Sequence, residues 1–333
     1  YRVSIHPDSM VVGHNHITDV METSVKLRNG RTEKVHWYQF KIPVSNPERV
    51  GGDITDMSSM QFMRMFLTGF ADTCIMRFAT LDLVKSEWRK FSDNLYEESS
   101  NPVAQTQFIT STVNIEENDR RVPVNYVLPP GIDRTVDPSN PQLRQLNEQA
   151  YSLKVVDLGN ADARAVYKVL NMDLRQYRKL KMFVHAEAID GYPLENNQMS
   201  LFVRLGSDYV DNYYEYEIPL TLTPHGTYQS RNESDRYMVW PESNELDIPL
   251  DLFTKCKLAR NEARKSNNIT LQDIYSMSDP SKVNNRVRIK GNPSLGNVVT
   301  MMMGVRAHGA GLKSAEVWVN ELRLTDFNED GGW

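Results

Sequence analysis

The most regular alternation of apolar and polar positions in the chain occurs twice. Residues 37–44 read WYQFKIPV and residues 213–220 read YYEYEIPL. Each string alternates with period two and ends in an aliphatic–proline–aliphatic step. Tyr38, Phe40, Ile42 and Val44 therefore share one face of a predicted strand, as do Tyr214, Tyr216, Ile218 and Leu220. Gln39 and Lys41, or Glu215 and Glu217, fall on the opposite face. A slip of one residue would turn the whole apolar set to water, so burial of one face fixes the register.

Two further blocks follow each copy in the same order. Residues 58–67 (SSMQFMRMFL) match residues 294–303 (SLGNVVTMMM) without a gap. Residues 75–84 (IMRFATLDLV) are answered by residues 317–324 (VWVNELRL), with Leu81 and Leu83 standing for Leu322 and Leu324. Each pair of blocks predicts a hairpin, the second with a glycine-rich tip around Gly309, Ala310 and Gly311. The repeated order argues for duplication of one unit, against chance recurrence of common strand patterns.

The copies differ in extent. Residues 152–157, 181–188 and 200–205 are strand-like runs ahead of the second aromatic strand, and too few residues precede Trp37 to hold their counterparts. Tyr1 is not an initiator methionine, and residues 1–5 read as the end of a strand. The first unit is therefore expected to extend before Tyr1 or to be trimmed. In the second copy residues 251–265 predict a helix with Asp251 as N-cap and a basic outer face.

Between the copies, residues 113–141 hold Glu116, Glu117, Asn118 and Asp119, then Pro123, Pro129, Pro130, Gly131 and two more prolines. Pro129-Pro130-Gly131 continues neither a helix nor a sheet ladder, which predicts a stiff extended passage. The fold class that follows is all-β: two related β-sandwich, jelly-roll-like units with one short helical insertion. The expected domains are a first unit over 1–112, incomplete at its N-terminus, a proline-rich linker over 113–145, and a second unit over 146–330 with its helix near 251–266. A membrane barrel is the competing all-β architecture, but strand spacing here is irregular, polar insertions are long, and aromatic residues sit in mid-strand instead of at girdles.

Composition narrows the function classes. Of 333 residues, 40% are hydrophobic and 24% charged, and the formal charge is -5, which provides no basic face for nucleic acid. The most apolar run, residues 298–305, is far short of the roughly 18 residues of a membrane helix, so the segment is expected not to span the membrane. Cys74 and Cys256 allow one long-range disulfide or two buried thiols, and neither has metal-ligand spacing.

Candidate chemistry is sparse. His14 and His16 flank one residue and suggest no third metal ligand. His185 and Glu187 share a strand face, where a hydrogen bond within the sheet explains them better than acid–base catalysis. Asp208, Asp211, Glu215 and Glu217 are the best calcium candidates, weighed against a solvated acidic rim. Trp37, Tyr213, Trp240 and Trp318 are either a glycan-binding platform or core. No P-loop, nucleophile elbow, dinucleotide fingerprint or zinc-protease motif is present. The reading is of a non-enzyme, with no residue assigned as catalytic, cofactor-binding or metal-binding, and no cofactor.

Several long strings carry a resemblance. NYYEYEIPL (212–220), FVRLGSDY (202–209), EVWVNELRLTDF (316–327), VNIEEN (113–118), MFVHAEA (182–188) and FMRMFLTGF (62–70) resemble the SprA/Sov family. These are giant outer-membrane translocons of the type IX secretion system, first associated with gliding motility in Bacteroidetes. The resemblance runs through most of the chain, weakest over residues 1–31 and around Cys256. It implies a non-catalytic segment of a protein-conducting outer-membrane barrel, at the cell surface in the extracellular cap or else on the periplasmic side. Implied partners are the rest of that barrel, a PorV-type shuttle protein, a plug protein and secreted cargo. The alternative from the residues alone is a surface glycan-binding or adhesive module.

Overall fold

A computed structural model describes residues 1–12, 14–44, 47–52, 62–71, 73, 75–81, 83, 87–93, 95, 106–136, 145–266 and 269–327. The chain divides into two compact units, Tyr1–Lys85 and Ser86–Trp333.

In the first unit, strands β1 (Ile17–Lys26) and β2 (Thr32–Phe40) form an antiparallel two-stranded sheet. Val20 lies opposite Tyr38 and Met21 opposite Trp37, with an irregularity between Ile17 and Asp19. The turn closes through Leu27 N–H to Arg31 O at 2.8 Å, and Gly30 takes a φ of 81° that other residues rarely adopt. Ile17 is buried, while Glu22 reaches across the sheet to Lys34 at 2.5 Å and His36 at 3.3 Å. The aromatic string stays in strand only through Phe40, leaving Ile42 and Val44 exposed. Of the predicted strands 58–67 and 75–84, the described residues 62–67, 75–81 and 83 carry no strand, and Phe62, Phe66, Ile75 and Phe78 are exposed; 58–61, 82 and 84 lie outside the described residues. Among the described residues of this unit β1 and β2 have no third strand or facing sheet, and a lone hairpin is marginal in water. Cys74 lies outside the described residues.

The second unit contains β3 (Arg89–Lys90), β4 (Gln107–Asn114), β5 (Gln149–Leu158), β6 (Ala163–Met172), β7 (Tyr177–Ala188), β8 (Met199–Gly206) and β9 (Tyr213–Pro219). Helix α1 (Glu233–Val239), β10 (Leu246–Pro249), helix α2 (Asp251–Ser266), β11 (Tyr275–Ser278), β12 (Arg286–Lys290), β13 (Val298–Ala307) and β14 (Lys313–Phe327) follow. One sheet runs β10-β7-β14-β5-β4 and the other β11-β12-β9-β8-β13-β6-β3, each antiparallel throughout. The all-β, sandwich reading is what the structure shows.

The chain changes sheet between β3 and β4, β5 and β6, β6 and β7, β7 and β8, β9 and β10, β10 and β11, and β13 and β14. The last change corrects a sequence expectation, because β13 and β14 were predicted to pair as a hairpin. The loop over 308–312, with Gly309 and Gly311 at positive φ, instead carries the chain from one sheet to the other. Alternation alone does not distinguish two strands that pair from two that face each other across a core.

The inner faces meet in one core. Leu153, Val155, Met182, Val184, Ala315, Val317 and Val319 come from the five-stranded sheet. Leu201, Val203, Leu205, Tyr214, Tyr216, Met301, Met303 and Val305 come from the seven-stranded one. Helix α2 closes one end with Leu252, Phe253 and Cys256, Phe253 lying 5.2 Å from the Tyr214 ring. Its span agrees with the sequence reading, but Asp251 is its first residue rather than its cap and pairs with Lys255 at 2.6 Å. The outer face is not uniformly basic either, since Leu258 and Glu262 are exposed on it with Lys255 and Lys265. Gly304 in mid-β13 permits a close approach, because a Cβ there would lie 2.7 Å from both Phe202 and Ala165 side chains.

Both sheets are also covered on their outer faces. Against the five-stranded sheet lie Val124, Tyr126, Val127 and Leu128, with Val239 and Trp240, all packed on Phe183, Trp318 and Ala150. The proline-rich residues 113–136, read from sequence as a passage between units, belong to the second compact unit and supply this third layer. Proline and extended backbone suit a layer that packs by side chains without joining a ladder. Phe91 and Leu95 do the same work over Phe202 and Met302 of the other sheet. This two-sided burial explains strands such as β13, apolar in nearly every position.

Candidate functional site

The chemistry of the second unit is concentrated on those covered outer faces, where each sheet buries a network of charges. On the seven-stranded sheet, the alternation that buries Tyr214 and Tyr216 inward sends Glu215 and Glu217 outward. Same-face positions on neighbouring strands bring Arg204 from β8, Arg306 from β13 and Arg288 from β12. Arg306 Nη1 lies 3.1 Å from Glu215 and 2.5 Å from Glu217. Arg288 lies 3.5 Å from Glu215 and 3.1 Å from Glu217, and Arg204 Nε donates to Glu215. Ser200 Oγ donates to Glu217 at 2.5 Å, and His308 Nε2 stands 3.1 Å from the same carboxylate.

Burial alone would push both carboxyls up. For Glu215 the guanidiniums of Arg306, Arg204 and Arg288 reverse this and hold it down at about 2. Glu217 is likewise held below its ordinary value, by the His308 hydrogen bond, Arg306, Arg288 and Ser200. Phe202 lies beneath two of the cations, 4.7 Å from Arg306 and 5.4 Å from Arg204, and Tyr213 is 4.1 Å from Arg204.

On the five-stranded sheet, Arg121 of the covering segment reaches Glu187 of β7 at 2.6 Å and Glu316 of β14 at 2.8 Å. Its other guanidinium nitrogen donates to Val124 O at 2.8 Å, and the group lies 5.0 Å from the Trp318 ring. Ser152 Oγ and Trp318 Nε1 donate to Glu316 at 2.8 and 3.0 Å, and Lys154 stands 3.7 Å away. Burial raises the Glu316 carboxyl, while Arg121 and Lys154 with the two hydrogen bonds bring it to about 2. His185 stacks on Trp318 at 3.9 Å, donates from Nδ1 to Val239 O at 2.8 Å, and lies 3.4 Å from Glu187. Trp240 Nε1 donates to Val127 O at 2.9 Å. These bonds fasten the covering layer to the sheet. Chemically the arrangement is one of matched acceptors and donors, in which every carboxylate named is occupied by cations.

The sequence candidates sort accordingly. His185 and Glu187 share a face and a contact, as expected, inside a structural network. Glu215 and Glu217 are buried among arginines and do not join the loop acids. Asp208 instead accepts from the backbone N–H groups of Val210, Asp211 and Asn212 at 2.6–3.0 Å, and Asp211 pairs with Lys290 at 3.0 Å. The four acids therefore form no shared calcium cradle, because alternation sends two of them into the sheet. Among the described residues no three or more His, Cys, Asp or Glu side chains are grouped to hold a metal. His14 and His16 sit in the turn before β1 instead of on a strand face.

Of the aromatic candidates, Tyr213, Trp240 and Trp318 are all 3% exposed or less, so they cannot form a sugar platform, and Trp37 is half-buried. Cys256 is a buried free thiol, pushed up to about 11 chiefly by burial. Arg204, Arg288 and Arg306 are not singled out from sequence, and Arg121 figures there only as half of the short basic pair Arg120-Arg121. The signal for Arg204, Arg288 and Arg306 is an arginine set directly between aliphatic residues in FVRL, VRI and GVRA.

Among the described residues no helix is long and apolar enough to cross a membrane. No curated protein matches the chain. A family model described as "Motility related/secretion protein" matches residues 1–333, the whole length. With strings such as NYYEYEIPL forming a buried strand and its charge network, the chain belongs to this SprA_N family of motility-related secretion proteins.

Proposed function

We propose that this chain is a non-catalytic segment of the outer-membrane protein-conducting channel of the type IX secretion system, placed in its extracellular cap. In this reading it takes part in export of folded cargo, with the barrel, a PorV-type shuttle protein and a plug protein as partners of the whole translocon. The observation that carries it is the family match over the full chain. The second unit supports a structural role. Its sandwich is covered on both outer faces, and its buried charges hold layers together. Such a body is suited to present broad stiff surfaces at a pore mouth. The glycan-binding alternative loses Tyr213, Trp240 and Trp318 to the core.

A photocrosslinking residue at the exposed positions Val122 or Leu312 tests the role in living cells. Adducts with exported cargo or with the shuttle protein are expected. Adducts with neither, together with labelling from the periplasmic side alone, would remove the cap assignment.

A further inference from the structure

The turn between β1 and β2 joins a reactive pair of residues to a geometry that favours their reaction. Asn29 is the one asparagine of the chain followed by glycine. Both residues are exposed, and a Cβ built on Gly30 would meet nothing within 4 Å, so the Gly30 nitrogen is open to approach. Arg31 N–H donates to Asn29 Oδ1 at 3.0 Å. Reaching the nitrogen two residues on requires the asparagine side chain to fold forward along the main chain, which brings Cγ toward the Gly30 nitrogen. The same bond polarises the carboxamide toward attack. Asn29 Nδ2 has no hydrogen-bond partner among the described residues, so nothing in the turn holds it as a leaving group.

One contact opposes the reaction. Gly30 N–H donates to Leu27 O at 3.0 Å and must release it before the nitrogen can lose its proton. That bond closes an exposed turn of a two-stranded sheet, where local opening costs little free energy. Two other asparagines show what the combination requires. Asn15 accepts from Ser4 N–H at 2.8 Å and donates to Ser4 O, so both ends of its carboxamide are held. Asn232 accepts from Ser234 N–H at 3.1 Å, the same forward fold as Asn29, but Glu233 follows it and crowds the nitrogen with a side chain.

We propose that Asn29 is a site of spontaneous deamidation in the folded protein. The Gly30 nitrogen gives its proton to hydroxide and bonds to Asn29 Cγ. The Cγ–Nδ2 bond breaks, and the departing nitrogen takes a proton from water and leaves as ammonia, regenerating hydroxide. Water then opens the five-membered imide at either carbonyl, leaving aspartate or isoaspartate at position 29. Water is the only co-reactant, and nothing is oxidised or reduced. Either product sets a carboxylate between Arg28 and Arg31. The isoaspartyl product also carries the main chain through its Cβ, lengthening the turn that Leu27 and Arg31 close beside the Lys26–Thr32 pair.

The test incubates the 333-residue chain in its native state at pH 8 for two weeks and digests it with a glutamate-specific protease. Mass spectrometry then follows the conversion of amide to acid in peptide 23–33, which holds Asn29, and in peptide 218–233, which holds Asn232. Labelling by isoaspartyl methyltransferase identifies the isoaspartyl product. Conversion at Asn29 should run at least tenfold faster than at Asn232, with isoaspartate in peptide 23–33, and Gly30→Ala should slow it at least tenfold. The comparison of the two peptides within the wild-type chain needs no variant to fold. Conversion at Asn29 no faster than at Asn232 overturns the proposal. So does conversion that Gly30→Ala leaves at the wild-type rate.

Discussion

Replacing Arg121 by methionine removes the one cation shared by Glu187 and Glu316 while keeping much of the apolar stem over Trp318. The three side chains are 9%, 1% and 7% exposed, so the carboxylates cannot recover their lost partner from water. Breaking a buried pair by deleting one member typically costs about 3–5 kcal/mol. Glu316 keeps Ser152, Trp318 and Lys154, which places the expected loss at the lower end, about 3 kcal/mol. The acid dependence gives a second figure. A fall from the ordinary 4.5 to about 2 in the folded chain corresponds to roughly 3 kcal/mol from Glu316. Because its folded value is depressed, that contribution is complete above pH 4.5 and is lost as pH falls toward 2.

Urea unfolding followed by tryptophan emission reads this directly, since Trp240 and Trp318 lie in the affected layer. With a slope of about 3 kcal/mol per molar, the midpoint of Arg121→Met should fall by about 1 M at pH 7. The gap between variant and wild type should narrow below pH 4.5, where the wild type loses the share of this contribution that Arg121 supplies. An unchanged midpoint at pH 7 would refute the account of the network. A gap as wide at pH 3 as at pH 7 would show that lost packing on Trp318, and not the charge pairing, was responsible.

Three further outcomes follow from the same coordinates. Gly304→Ala forces a Cβ to 2.5 Å from Arg164 O and 2.7 Å from Phe202, so thermal unfolding should show a loss of about 1–3 kcal/mol or more; an unchanged melting temperature would mean that β6 and β8 yield freely. Trp240→Ala empties the centre of the covering layer and frees Val127 O, for about 3–5 kcal/mol, and should expose residues 124–128 to protease before the sandwich core is cut. In a Cys74→Ser background, Cys256 should resist iodoacetamide at pH 8 until denaturant is added, since burial raises the thiol to about 11; rapid alkylation of the native chain would contradict its placement on the core-facing side of α2.

How much of this was legible in the sequence depended on where burial was one-sided. The strings that became β7, β8 and β9 announced themselves through alternation or β-branched runs, and α2 through its 3.6-residue period. Strand pairing was less accessible: β13 and β14 are adjacent in sequence and apolar, yet they face each other across the core instead of sharing a ladder. The covering layers were hidden for a different reason. Pro123, Pro129 and Pro130 signal only that a segment joins no ladder, and packed extended chain and free linker look alike in composition. The candidate residues followed the same division. The His185–Glu187 contact was readable because the two lie on one strand, whereas the Arg121–Glu187–Glu316 cluster joins residues up to 195 positions apart. Glu215 and Glu217 looked like acids available to an ion because their arginines lie on three other strands.

The most direct measurement of the central claim is cargo export in cells whose full-length parent lacks residues 1–333, with assembly of the barrel verified in the same outer membranes. The account predicts an assembled barrel that retains cargo in the periplasm or leaks periplasmic contents. Normal export and a tight membrane, with adhesion or motility lost instead, would contradict it and make the segment a surface-binding module.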